Sequence, residues 1–123
     1  MRIIVPALLL LVTSAAVQSA EAKDSTIQRG MASWYGSRLH GKATASGVPM
    51  DRQQLTCAHR TLPFGTQIEV TNKRNGRRVV VTVTDRGPGP RNRILDVSPV
   101  AAAQLGMKKK GLAPVEIRPV KWD

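Results

Sequence analysis

Two runs of alternating residues constrain this chain more than any other feature. Between Thr66 and Asn72 the apolar Ile68 and Val70 share one face, and between Arg77 and Thr84 the residues Val79, Val81 and Val83 do the same. Side chains of a strand alternate between faces with a period of two, so each run reads as a half-buried β-strand. Asn75-Gly76 between them is the preferred dipeptide for a tight hairpin turn, because both residues tolerate positive φ. Other short segments extend the pattern. Gly30 to Gly36 reads as a strand closed by glycine, Leu55 to His59 as a short helix or strand stopped by Pro63 and Gly65, and Arg93 to Val97 as a strand. Gly111 to Pro119 supplies a last strand with Val115 and Ile117 on one face. Ser98-Pro99 starts a helix with an N-cap oxygen and a proline at the first helical position, and Gly106 stops it. Residues 37–51 and Asp85 to Pro90 are too rich in Gly, Pro, Ser and Thr for a regular element and read as shaped loops. Five or six short strands and one short helix make a small β-barrel.

The chain has 123 residues, which is one small domain, and excludes a long helical bundle or a multi-domain enzyme. Its four aromatics are Trp34, Tyr35, Phe64 and Trp122, so the core must be mostly Val, Ile, Leu and Ala. A domain of this size buries about two-thirds of its unfolded surface and needs no disulfide staple, in keeping with the single Cys57. Residues 1–22 carry one basic residue, an apolar run from Ile3 to Val12 and a small-x-small ending, the pattern of a secretory signal peptide. The apolar run is far short of the roughly 20 residues that span a bilayer. Without a cysteine near the cleavage region no lipid attachment is expected, so the product is expected to be exported, periplasmic, soluble and free of a stable membrane anchor. The expected division is therefore signal peptide 1–22, a short leader 23–28 and a barrel domain 29–120.

The formal net charge is +11 at pH 7 and stays there after removal of the signal peptide. Outside the inner membrane nucleic acid is not an expected partner, and the available polyanions are wall polymers, lipopolysaccharide and anionic lipid. The charge reads either as a directed electrostatic surface or as a solvated face. Its densest clusters are Lys108-Lys109-Lys110 and Lys73-Arg74 with Arg77-Arg78, both in expected turns.

Few residues remain for chemistry. Asp51, Asp85 and Asp96 lie beside Gly/Pro loops or inside the apolar strand Arg93-Ile-Leu-Asp-Val, whereas Glu69 and Glu116 alternate outward. A carboxylate in an apolar strand must be hydrogen-bonded or protonated, an environment that suits a general acid. Asp96 reads equally as a carboxylate receiving N–H bonds from the helix that follows, and Asp85 as a brace for Arg86 or Arg91. His59 is a second candidate, or a satisfied structural histidine. No metal is expected, because zinc needs three or four ligands at recognisable spacing, and no nucleotide motif is present, so no cofactor is expected either. Cys57 is expected to be a small buried side chain rather than a nucleophile.

Six ordered blocks carry a resemblance. Gly30-Met-Ala-Ser-Trp-Tyr-Gly, His40-Gly-Lys-Ala-Thr-Ala-Ser-Gly47, Thr56-Cys-Ala-His-Arg-Thr-Leu-Pro-Phe-Gly65, Val70-Thr-Asn72, Val83-Thr-Asp-Arg-Gly-Pro88 and Arg93-Ile-Leu-Asp-Val-Ser98 resemble the rare lipoprotein A family. The resemblance implies a mainly β fold, a six-stranded double-psi β-barrel with one or two short helices. It implies action on peptidoglycan glycan strands as a lytic transglycosylase, which cuts the bond between N-acetylmuramic acid and N-acetylglucosamine and leaves a 1,6-anhydro end. The sugar's own C6 hydroxyl attacks the anomeric carbon in that reaction, so one well-placed carboxyl acid/base suffices. Carried over, the resemblance makes Asp96 or Asp85 the general acid, with His59 positioning or polarising the sugar and Asp51 in support. Trp34 and Tyr35 are expected to offer a sugar-stacking surface, with a core role for at least one, and Arg86 and Arg93 to hold substrate. A monomer is expected. The sequence departs from the family where a Glu commonly follows Ser/Asn-Gly, since Val48 stands there. Valine cannot transfer a proton, which implies the alternative of a non-catalytic, expansin-like peptidoglycan-binding module.

Overall fold

A computed structural model describes residues 27–120. The expected signal peptide, residues 23–26 of the expected leader, and Trp122 lie outside the described residues. Six strands form, in chain order β1 (Gln28–Trp34), β2 (Thr56–Ala58), β3 (Gln67–Asn72), β4 (Arg78–Asp85), β5 (Arg93–Val97) and β6 (Ala113–Pro119). Among the described residues a single 3-10 turn (Ser37–Leu39) follows β1, and one helix, α1 (Pro99–Gln104), lies between β5 and β6. The strands close into a barrel in the order β1-β5-β2-β4-β3-β6. The pairs β1·β5 and β2·β4 are parallel and the other four antiparallel, the interleaving of the double-psi β-barrel.

The alternating runs do what their period requires. In β3 and β4 every second residue is buried, and Ile68, Val70, Val79, Val81 and Val83 fill the barrel with Leu95, Val97, Val115 and Ile117. Ala101, Ala102 and Leu105 of α1 pack into the same core. Closing the sheet on itself removes the exposed edges that a six-stranded open sheet would leave. Gly30 permits a close approach within β1, because a Cβ there would stand 2.8 Å from Ile94 Cγ2.

Local details depart from the sequence reading at three places. The first strand starts at Gln28, inside the expected leader, because Gln28 pairs with Ile117 of β6. The β3–β4 connection is a four-residue loop, Lys73 to Gly76, rather than a two-residue turn on Asn75-Gly76. Asn72 N–H donates to Arg77 O at 2.8 Å to close it, and Gly76 takes φ +77° while no other residue type in the described chain has positive φ. The Asn72 side chain forms part of that loop, accepting from Arg74 N–H at 2.9 Å. Finally, Ser98 precedes the helix and Pro99 sits in its first turn, but the Ser98 hydroxyl makes no cap bond. Ser98 is buried and continues the β5 ladder onto β2, its N–H donating to Thr56 O at 2.9 Å. The helix C-terminus follows expectation: Gly106 N–H donates to Ala103 O and Met107 N–H to Ala102 O, a Schellman closure with Gly106 at φ +69°.

Candidate functional site

Pairing across β5-β2-β4 assembles the site. Ala58 of β2 lies opposite Asp96 of β5 on one side and Asp85 of β4 on the other. Residues paired directly across a ladder share a face, and Cys57, one step earlier, points into the core. Asp96, Ala58 and Asp85 therefore stand in a row on the outer face. The two aspartate backbones are two strand spacings apart, about 10 Å. Asp85 reaches this face through a bulge: Val83 pairs with Cys57 and Asp85 with Ala58, so Thr84 is the extra residue that turns the strand's parity. The small Ala58 forms the floor between the carboxylates.

Neighbouring elements hold each carboxylate. Tyr35 follows the end of β1 and its hydroxyl donates to Asp85 Oδ2 at 3.1 Å, while Ala45 N–H and Arg86 N–H donate to Asp85 Oδ1 at 2.9 and 2.8 Å. Burial pushes the Tyr35 phenol far above its ordinary range, and the charges of Asp85 and then Asp96 push it further, so Tyr35 remains a donor. Asp96 accepts the hydroxyl of Ser33, its register partner on β1. This replaces the expectation of a bond to the N-terminus of α1, and the brace expected between Asp85 and an arginine side chain is a bond to the Arg86 backbone instead. Burial, with the Asp96 charge adding to it, likewise raises the Cys57 thiol, leaving an inert core side chain.

One wall of the site is an arm. Gly41 N–H donates to Met50 O and Met50 N–H to Lys42 O at 2.7 and 2.8 Å, with an isolated bridge between Ala43 and Pro49. Its tip docks on the end of β4 through Ser46 N–H to Thr84 O and through Ala45 to Asp85. Val48 lies on this tip with 53% of its surface exposed.

The remaining expected site residues scatter. His59 is buried and both of its ring nitrogens are engaged: Nδ1 accepts from the amides of Thr61 and Leu62 at 3.1 Å each, which leaves Nε2 to donate to Gln28 Oε1 at 2.9 Å. Burial lowers its pKa, with Arg86 and Arg60 adding to the shift, so a neutral imidazole organises the 59–62 turn. Arg86 donates to the carbonyls of His59 and Leu62 at 3.1 and 2.8 Å and lies 4.0 Å over the Phe64 ring. Asp51 caps its own turn by accepting from Gln53 N–H at 2.9 Å, apart from the aspartate pair. Trp34 and Tyr35 do not form a joint surface, because adjacent residues point to opposite sides: Tyr35 meets Asp85, whereas Trp34 packs against the core with Lys108 over its ring at 5.3 Å. Arg93 pairs with Met31 on the outer face, and its Nε is buried without a partner among the described residues. Ser33 and Ala45 were not legible as site residues; each looks ordinary until a partner more than 30 residues away is brought to it. Among the described residues no three His, Cys, Asp or Glu side chains form a metal-holding group.

The family model described as lytic transglycolase matches residues 27–117. The chain belongs to that family. Within it the chain is 52% identical over 90 residues to the probable endolytic peptidoglycan transglycosylase RlpA of Aquifex aeolicus, covering 73% of this chain and 40% of that protein. It is 48% identical over 93 residues to the endolytic peptidoglycan transglycosylase RlpA of Neisseria meningitidis, covering 76% of this chain and 39% of that one. The chain thus spans about 40% of the length of these curated relatives. Among solved structures it is similar to a Streptomyces papain inhibitor, at 24% identity and a TM-score of 0.62 over 79% of this chain and 96% of that one. It is also similar to the apo expansin of Clavibacter michiganensis, at 25% identity and a TM-score of 0.63 over 80% and 52% of the two chains. These matches agree with the six-stranded double-psi barrel. Both aspartates and the docked arm lie inside the matched span.

Proposed function

We propose that this barrel is an exported peptidoglycan lytic transglycosylase whose proton transfers are carried by the Asp85/Asp96 pair. The observation that carries the reading is the convergence of two carboxylates from different strands on a small-residue floor, in a chain half identical to proteins named endolytic peptidoglycan transglycosylases. A carboxyl group donates its proton to the glycosidic oxygen as the C1–O bond breaks. The muramyl C6 hydroxyl then attacks C1 and returns its proton to the carboxylate, so neither water nor net acid is consumed. Tyr35, Ser33 and the Ala45 amide hold the pair in place, which keeps the reacting oxygens oriented before the sugar arrives. His59 supports the reading at a distance, by shaping the turn that receives Arg86.

The test is mass spectrometry of products from intact and peptide-stripped peptidoglycan, with Asp85→Asn and Asp96→Asn beside the unaltered protein. The expected result is new 1,6-anhydro-muramyl ends, reduced about 100-fold or more in at least one variant. Glycan binding without new ends would overturn it. That outcome is the second reading, an expansin-like binding module, which the apolar Val48 on the arm beside Asp85 favours.

A further inference from the structure

A pyranose ring carries hydroxyls at its rim and C–H bonds on its faces, so a groove that binds one needs an open apolar surface beside its polar groups. Trp34 and Tyr35 do not supply it, since Trp34 packs against the core and Tyr35 is engaged with Asp85. Phe64 has the exposure they lack. It is the single phenylalanine of the chain and, at 42% exposed, the one aromatic among the exposed large apolar side chains of the described residues.

Local chemistry puts Phe64 beside the aspartates. Pro63 to Thr66 form a β-turn, closed by Thr66 N–H donating to Pro63 O at 3.1 Å, with Gly65 at φ +90° in the third position as a type II turn requires. Phe64 is the second residue of that turn and stands at its corner. The turn enters β3 through a bulge. Val83 of β4 faces both Gly65, whose N–H donates to its carbonyl at 2.8 Å, and Thr66, whose carbonyl accepts its N–H at 2.9 Å. Phe64 thus comes opposite Thr84, next to Asp85 and one strand spacing, about 5 Å, beyond β4. The row of Asp96, Ala58 and Asp85 runs on toward it.

The ring is also held. Arg86, the residue after Asp85, lies 4.0 Å over it, and Arg86 Nη1 is anchored by the carbonyls of His59 and Leu62 at 3.1 and 2.8 Å. The guanidinium covers one face, so the other face and the edge account for the exposure. A side chain fixed before the ligand arrives loses little freedom on binding. From this arrangement we infer that Phe64 is the platform of a sugar subsite, on which a pyranose ring of the glycan stacks beside the bond held at the Asp85/Asp96 groove. The inference rests on the glycan reading above. Polarised C–H bonds of the sugar face meet the negative face of the aromatic ring, and apolar area leaves water on both partners. Arg86, expected to hold substrate, serves this subsite as the support behind the ring.

Because the chain has one phenylalanine, isotope-labelled phenylalanine reports on this ring alone in an NMR titration. The probe is a stem-free tetrasaccharide of alternating N-acetylglucosamine and N-acetylmuramic acid, added to protein carrying Asp96→Asn to slow its turnover. The Phe64 ring signals and the Ala58 amide are expected to shift together with one Kd. Phe64→Ala, made in the otherwise unaltered protein, is expected to raise KM for formation of 1,6-anhydro ends about tenfold with little change in kcat. Phe64→Tyr should keep the original KM and Phe64→Leu should behave as Phe64→Ala, because the ring face rather than bulk makes the contact. Thermal unfolding checks that each variant retains the fold. Ring signals that stay still while the Ala58 amide shifts would overturn the inference, as would an unchanged KM in Phe64→Ala or full recovery in Phe64→Leu. Ring signals that move with protein concentration instead of sugar would also overturn it, by making a second copy of the chain the occupant. Failure of the glycan reading is separately visible and removes both: neither the ring nor the Ala58 amide then responds, and no new 1,6-anhydro ends form.

Discussion

The inner and outer faces of the same three strands have opposite characters, although single residue steps separate them. Inside β4, β5 and β2 lie Val83, Val97 and Cys57, sealed from solvent and surrounded by aliphatic side chains. One step along, Ala58 and Asp96 face outward, and a bulge brings Asp85 beside them. Apolar packing thus lies on one face of the strands and the candidate carboxylates on the other. The barrel can hold its carboxylates rigidly without burying them in its apolar core, where an unpaired charge would be costly.

Substitutions on opposite faces of β5 break this comparison most sharply. Asp96→Asn is expected to lower transglycosylase turnover about 100-fold or more with little change in unfolding midpoint, read by product formation and calorimetry together. Leu95→Ala, one residue away, is expected to cost about 2–5 kcal/mol in denaturant unfolding while the folded fraction keeps its turnover. If Asp96→Asn instead unfolds the barrel, its carboxylate belongs to the scaffold and the division between faces fails. A smaller effect is expected at Asn72, a buried amide that ties the basic loop to the helix end. Asn72→Ala should cost about 1–3 kcal/mol, because the Leu105 carbonyl and Arg74 amide lose a partner.

His59 sharpens the comparison through pH. Its folded pKa lies below the ordinary 6.5, so the unfolded chain takes up the proton first. Its contribution to stability should be full above about pH 6.5 and fall away as pH drops toward the lowered folded value. Unfolding midpoints against pH should show this loss, and His59→Gln should flatten that part of the profile. The smallest effect is expected from Tyr35→Phe, which removes one of three donors to Asp85 and should slow turnover a few-fold without altering substrate preference. A loss as large as that of the aspartate variants would make the phenol a direct participant.

Much of the fold was legible because its signals are local. Alternating Val and Ile marked β3 and β4, and Gly106 marked the end of α1, since strand period and left-handed helix closure each depend on a few adjacent residues. Asn75-Gly76 marks the hairpin and Gly76 takes the positive φ, but the part that the Asn72 side chain plays in shaping the four-residue loop has no local signal. The candidate site was legible only as a set of residue types. Asp85 and Asp96 were identified as chemically capable, but Ser33, Ala45 and the role of Tyr35 depend on contacts across 40 to 63 residues of chain. The core role expected for at least one of Trp34 and Tyr35 falls to Trp34, which packs against the barrel core, while Tyr35 turns to Asp85.

The amino-acid sequence by itself determined which segments become strands, where turns interrupt them, and how many carboxylates and cations the domain carries. Those properties follow from side-chain shape, backbone preference and composition. Only the tertiary structure decided that Asp85 and Asp96 flank Ala58, that His59 spends both nitrogens on its own scaffold, and that the Lys73–Gly76 loop is fastened to the Leu105 and Leu112 carbonyls. Strand register, the sidedness of a bulge and the docking of loops are set by barrel closure, in which each strand's position depends on neighbours distant in the chain.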